Sequence, residues 1–370
     1  MRLGDICTIK YGKDHKKLND GDIPVYGSGG VMRHVEKALW NKPSVLIPRK
    51  GTLGNLFFVN KPFWTVDTCF WTDIDEEQVL PEYLFYQLKT KDLASLNVGT
   101  AVPSLTTDVL NEVEIDLPSL EKQKQVVEML GSLDSKIEIN TKLNGYLEEL
   151  LLARFKALIP SDNWSEGRAD SFFEIGIGKT PPRKETEWFA NSRSGNYVWL
   201  SIKDMGTPGA YSLDSAEYLT HAAVKQKNIR QVPEGSVLLS FKLTVGRVKI
   251  AACDMTTNEA IAYFNSNDKK QLAYIYPYLL TYDYNKLGST SSIATAVNSK
   301  TIKTMPIAMP DNNELSSFYT ATKPLYEQML NIAKENIALA SLRDALLPKL
   351  MSGEIDVSKI DAAGLNSHLA

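Results

Sequence analysis

The side chains best suited to chemistry in this chain are cations and hydroxyls set in acid-free stretches. Between Glu36 and Asp67 there is no acid, while Lys37, Lys42, Arg49, Lys50 and Lys61 all occur. Between Glu234 and Asp254 the same holds around Lys242, Arg247 and Lys249, and between Asp283 and Asp311 around Lys286, Lys300 and Lys303. Either of the first two alone would read as chance clustering on a solvated face. They occupy equivalent places in an internal repeat, however, and so point to a shared anionic ligand. The net charge of −3 hides this local bias.

Catalytic constellations are missing. Gly178-Lys179-Thr180 resembles the end of a P-loop, but Phe173 stands where the first glycine belongs. No GxGxxG follows a strand, no Gly-x-Ser-x-Gly elbow occurs, and the amino-methyltransferase Asn/Asp-Pro-Pro-aromatic motif and an Asp…Glu-x-Lys nuclease core are absent. Gly27-Ser28-Gly29-Gly30 reads first as a tight turn and second as an anion-binding nest. The acids Asp73, Asp75, Glu76 and Glu77 read as a solvated loop. Cys7, Cys69 and Cys253, and His15, His34, His221 and His368, lack metal-ligand spacing. The expectation is a chain that binds and does not catalyse, with reduced thiols in a cytoplasm, no secretory h-region and no membrane span.

The elements that must position those cations are written twice. Residues 44–59 (SVLIPRKGTLGNLFFV) match 236–251 (SVLLSFKLTVGRVKIA) at an offset of 192, which also joins Pro118 to Pro310, Asn144 to Asn336 and Leu158 to Leu350. Residues 2–13 match 168–179 at 166, so the second copy holds 26 extra residues among 180–233, a Gly/Pro/Ser-rich segment suited to loop insertions. This is duplicated architecture, too long for a solenoid. Within 44–59 an apolar run, a Gly-bearing turn and another apolar run predict a hairpin with Arg49 and Lys50 at its tip.

After Pro118 the period changes. Val126, Leu130, Leu133, Ile137, Asn140, Asn144, Leu147, Leu151 and Leu158 fall on three- and four-residue steps, with Arg154 a charged intruder, and predict a helix from Ser119 to Ile159 stopped by Pro160. Phe318, Thr322, Leu325, Met329, Ile332, Asn336, Leu339, Leu346 and Leu350 repeat the seam behind an Asp311/Glu314 capping box, with Gly353 past the end and a kink or late start expected at Pro324. A seam of this kind must be buried, most simply on the other helix, as an antiparallel coiled coil with pseudo-twofold symmetry and about 60 Å of rod. Antiparallel packing need not bring Asn144 to Asn336. The fold class is α+β: strand-rich domains over 1–118 and 161–310, helical spacers over 119–160 and 311–353, and a tail over 354–370.

Several blocks carry a resemblance. Pro118-Ser-Leu-Glu-Lys-Gln123 resembles the Pro-Pro-Leu-x-Glu-Gln block that opens the first conserved helical region in specificity (S) subunits of type I restriction-modification systems. Residues 342–355 (LRDALLPKLMSGEI) are similar to the usual C-terminal close of that family. Gly12-Lys13, Gly178-Lys179-Thr180-Pro181 and Pro24-Val-Tyr-Gly-Ser-Gly-Gly30 resemble the blocks of its target recognition domains. The match departs at Lys122, where Glu is usual, and over 312–318, which lacks the Leu-x-Glu-Gln signature.

The resemblance implies a non-catalytic DNA sequence-recognition subunit. Each domain would read one half of a bipartite asymmetric target, while the paired helices set the gap, about one and a half to two turns of B-DNA. It implies two methyltransferase subunits docked on the helices, a restriction and motor subunit for cleavage, and S-adenosylmethionine, ATP and Mg held by those partners and not by this chain. Base readers would then be Arg49, Lys50 and Thr52 in one copy and Lys242, Thr244 and Arg247 in the other, with Tyr26, Ser28 and Thr100 placed by the family blocks. Lys13, Lys16, Lys17, Lys179, Arg183 and Lys184 would meet phosphate. Two other readings stay open: the specificity chain of a related system with a fused methyltransferase-nuclease partner, and a coiled-coil scaffold whose modules bind proteins or glycans.

Overall fold

The computed structural model describes residues 1–99, 102–158, 160–287 and 297–356. It divides into one unit of residues 1–136 with 339–370 and another of residues 137–338.

In the first unit, the apolar run Ser44–Pro48 is buried on both faces as a central strand. It pairs antiparallel with Phe57–Val59 on one side and Cys69–Ile74 on the other, and Cys7–Tyr11 completes the four-stranded sheet. The predicted hairpin is therefore present, but its loop is long, and Leu53 folds back into the core at 4% exposure. A smaller sheet holds Gly30–Val35, Ile23–Gly27 and Trp64–Thr65, the last pair parallel. Helix Pro81–Lys89, opened by a proline whose missing N–H costs nothing there, covers the larger sheet with Tyr83, Leu84 and Leu88.

The second unit repeats this order. Glu174–Ile177, Ile261–Asn265, Val237–Ser240 and Val248–Ala251 are neighbours in the same sequence of pairings, and helix Lys269–Thr281 follows. The extra residues do more than lengthen loops. They add Tyr211–Ser212 as a parallel edge strand, the short strand Phe189–Ala190 and helix His221–Gln226, while Tyr218–Leu219 takes the place that Gly30–Val35 has in the first copy.

Two long helices, Leu120–Lys156 and Asn312–Met351, contribute to both units. In the first unit Val126 and Leu130 share a core with Leu347, Leu350 and Met351, and Arg343 donates to Asp134 at 2.6 Å. In the second, Leu151 shares a core with Phe318, Tyr326 and Met329, and Asn140 donates to Asn336 at 2.9 Å. Partners descend on one helix as they ascend on the other, so the pairing is antiparallel within each unit. Leu133, Asn144, Met329 and Leu339 are buried; Ile137, Leu147, Leu325 and Asn336 are half-buried. Asn144 does not meet Asn336: its carbonyl oxygen is buried without a hydrogen-bond partner, beside a pocket of about 270 Å³ lined by Thr141, Gly209 and Ala333.

Two helix expectations need correction. Pro324 neither kinks nor delays the second helix, which runs from Asn312 through it. Pro324 itself is exposed, and buried Phe318, Thr322, Tyr326 and Met329 on either side hold the helix in place, with Thr322 Oγ1 donating to the Phe318 carbonyl. Arg154 is exposed, and Phe155 takes the inward place, 5.5 Å from the Tyr274 ring. The capping box forms as read, with Glu314 N–H donating to Asp311 at 2.9 Å, and Gly353 lies past the end at φ 74°.

In each unit a tyrosine of the domain helix donates to a carboxylate on the first long helix: Tyr86 to Asp134 at 2.6 Å, and Tyr276 to Glu148. Among the described residues no helix is long and apolar enough to cross a membrane.

Candidate nucleic-acid interface

The hairpin loops are built by matching contacts. In the first unit Gly51 N–H donates to the Pro103 carbonyl, Lys50 bridges Ser104, and Asn55 Nδ2 donates to the Ser28 carbonyl at 3.0 Å. In the second, Arg247 Nη1 donates to the Ile202 carbonyl at 2.6 Å. Asn55 and Arg247 are repeat counterparts. The parallel pairings Tyr26 with Thr65 and Leu200 with Thr257 make Ser28 and Ile202 counterparts too. Each loop is thus pinned to the turn after the same parallel strand. Sequence reasoning missed Asn55, whose only signal was its alignment with Arg247.

This construction leaves Lys50 and Thr52 exposed on one loop, and Lys242 and Thr244 on the other. Lys16 and Ser28 line a cleft of about 780 Å³ that also carries Asp14 and Asp67. Lys13, Lys17, Lys179 and Lys184 are exposed as well, and the Lys179 ammonium donates to the Lys227 carbonyl at 2.6 Å.

Four cations and one tyrosine have other duties. Arg49 donates to the Asp67 carbonyl at 3.0 Å and lies over the Tyr11 ring at 5.3 Å. Arg183 bonds Glu217 at 2.7 Å and lies 4.6 Å over both Phe189 and Trp199. Arg247 is the pin just described. Lys249 is 3% exposed and donates to the carbonyls of Thr207 and Gly209; burial lowers its pKa to about 8. The Tyr26 ring packs on Phe57 and Phe63, and burial pushes its pKa up. Of these five only Lys249 is buried; Arg183 keeps 51% of its side chain exposed, and Arg49, Arg247 and Tyr26 are half-buried. Thr100 lies outside the described residues.

Gly12 and Gly178 have a common physical reason. A Cβ at Gly12 would lie 2.1 Å from the Val66 carbonyl oxygen, and one at Gly178 would lie 2.2 Å from that of Thr257. The glycine of each Gly-Lys block lets two strands cross, and the lysine that follows is held by its backbone, Lys13 N–H to Thr65 and Lys179 N–H to Thr257, both at 2.8 Å. Burial raises the Cys7 and Cys69 thiols to about 12, which disfavours their thiolates.

The family model for the type I restriction modification DNA specificity domain matches residues 1–149 and again 161–335. The chain belongs to that family. The type I restriction enzyme MjaIX specificity subunit of Methanocaldococcus jannaschii is 25% identical, covering 93% of this chain and 89% of its own. The HindI specificity subunit of Haemophilus influenzae is 22% identical, covering 75% and 78%. A crystal structure of a type I restriction-modification S subunit from M. genitalium has the same fold at a TM-score of 0.51 and 15% identity, covering 95% of each chain.

Within this type I specificity chain the two pinned loops are therefore duplicated features of a duplicated DNA specificity domain. The first long helix also carries a distinct surface: Ile139, Leu143, Tyr146 and Leu150 are 61%, 40%, 65% and 45% exposed at three- and four-residue steps. That stripe faces away from the buried seam and is large for a solvent-facing helix.

Proposed function

We propose that this chain is the DNA sequence-recognition subunit of a type I restriction-modification complex. Each domain reads one half of a bipartite asymmetric target, and the helices fix the gap between the halves. The observation that carries this is the repeated loop: one sheet, built twice, each time presenting an exposed lysine and threonine from a hairpin pinned at the same point. Lysine donates to guanine edges or phosphate, and threonine bonds a base or touches a thymine methyl. Lys13, Lys16, Lys17, Lys179 and Lys184 supply phosphate contacts, and Ser28 lines the first reading cleft.

Two methyltransferase subunits dock on the helices, and restriction subunits join for cleavage. S-adenosylmethionine, ATP and Mg belong to those partners. The exposed stripe Ile139, Leu143, Tyr146 and Leu150 supports one docking face.

The test assembles the chain with its methyltransferase partner and measures binding and methylation of duplex libraries. Affinity falls steeply with salt, by a slope near −0.9 per phosphate neutralised. Lys50→Ala with Thr52→Ala relaxes one half of the motif at a cost of about 1–3 kcal/mol per lost base contact, and Lys242→Ala with Thr244→Ala relaxes the other. Salt-independent binding of a protein or glycan, with no DNA affinity, would replace this reading with the scaffold.

A further inference from the structure

The tip of the second hairpin breaks two rules at once. Leu243 is 96% exposed, the barest large apolar side chain among the described residues, and its backbone sits at φ 62°. In the left-handed region Cβ crowds the following carbonyl oxygen, so such sites are ordinarily glycine. The repeat supplies that comparison internally: the counterpart in the first copy is Gly51, at φ 88°. The second copy takes the same left-handed φ region at this place with a leucine mounted on it.

The loop is also braced to hold that leucine out. Ser240 Oγ donates to the Thr244 carbonyl at 2.5 Å and accepts from Arg247 N–H at 3.0 Å, while Gly246 N–H donates to the Ser240 carbonyl at 2.9 Å. With the Arg247 pin, these bonds fix both ends of a turn whose apex is apolar. Lys242 and Thr244, both exposed, flank it. An apolar apex between two polar donors is unfavourable in water. It becomes favourable where donors meet groove edges and phosphate while the apex leaves water, which is the situation of an apolar wedge pressed into a base step.

We infer that Leu243 is a wedge that enters the base stack of the half-site read by the second domain and parts one base-pair step. This rests on the proposed DNA reading and deepens it. Parting is easiest at pyrimidine–purine steps, so part of that half-site's specificity comes from deformability and not from hydrogen bonds. The first domain has no side chain at the equivalent place, Gly51.

The probe is 2-aminopurine, placed singly at each non-methylated position of the second half-site, in a duplex bound by the chain with its methyltransferase partner. Wild type and Leu243→Met give a several-fold rise in fluorescence at one step. Leu243→Gly, which fits the turn and keeps the fold, abolishes that rise and weakens target binding by about tenfold. No responding position in wild type, or a rise that survives in Leu243→Gly, overturns the wedge while motif-specific, salt-dependent binding leaves the DNA reading standing. Loss of that binding in wild type itself overturns both.

Discussion

At the scale of residues, the cations separate into two populations that composition could not distinguish. Lys50 and Lys242 are exposed, whereas Arg247 is half-buried and Lys249 buried, each bonded to backbone carbonyls. The acid-free windows were legible; which of their charges face outward depends on strand register, which they do not encode. The Gly-Lys blocks teach the same lesson, since their glycine serves a strand crossing. Gly12→Ala is therefore expected to lose about 2 kcal/mol or more of stability in urea unfolding, because the obstructing atom is backbone and cannot swing away. Lys13→Ala leaves stability intact and lowers the salt slope by about one contact. Lys249 gives a pH signature. Its folded pKa, about 8, lies below the unfolded 10.5, so its charged form costs stability below pH 8. That cost is relieved as pH rises from about 8 toward 10.5, where the folded state has shed the proton first. Lys249→Met should flatten this rise when urea midpoints are compared with wild type at pH 8 and pH 10.

At the scale of elements, the long helices were the most legible part of the chain. A seam at three- and four-residue steps admits few alternatives, and the Asp311–Glu314 box marks a start without ambiguity. What the seam could not show was how tertiary contacts override local rules at Pro324 and Arg154, nor that Asn140, rather than Asn144, would meet Asn336. The exposed stripe was hidden for a related reason: Ile139, Leu143, Tyr146 and Leu150 interleave with seam residues and look like ordinary helix filler. Tyr146→Glu with Leu143→Asp is expected to leave the helical circular dichroism and unfolding midpoint close to wild type, while co-purification of the methyltransferase drops by about tenfold or more. Retained assembly with both charges in place would remove the stripe from the docking surface. By contrast, Arg343→Ala strips the half-buried Asp134 of its ion pair and is expected to cost about 1–3 kcal/mol in unfolding.

At the scale of the whole molecule, the duplication was plain because the offset holds across strand, helix and turn. Its structural meaning came only with the sheets, where four strands recur in one neighbour order despite the extra residues. Those residues add an edge strand and a helix to the second domain and leave the long helix in step, so what differs between copies is concentrated in the strand-rich domains. Family membership follows from the match over both copies. The target itself is not written in residue types, because base contacts depend on loop geometry that composition does not carry. The most direct measurement is methylome sequencing of cells that hold the methyltransferase partner, with and without this chain. The account predicts a single split motif of two unlike halves, present with the chain, lost on its deletion, and altered in one half only by Lys50→Ala with Thr52→Ala. Methylation that is unchanged by the deletion in an active system, or an undivided motif, would contradict it.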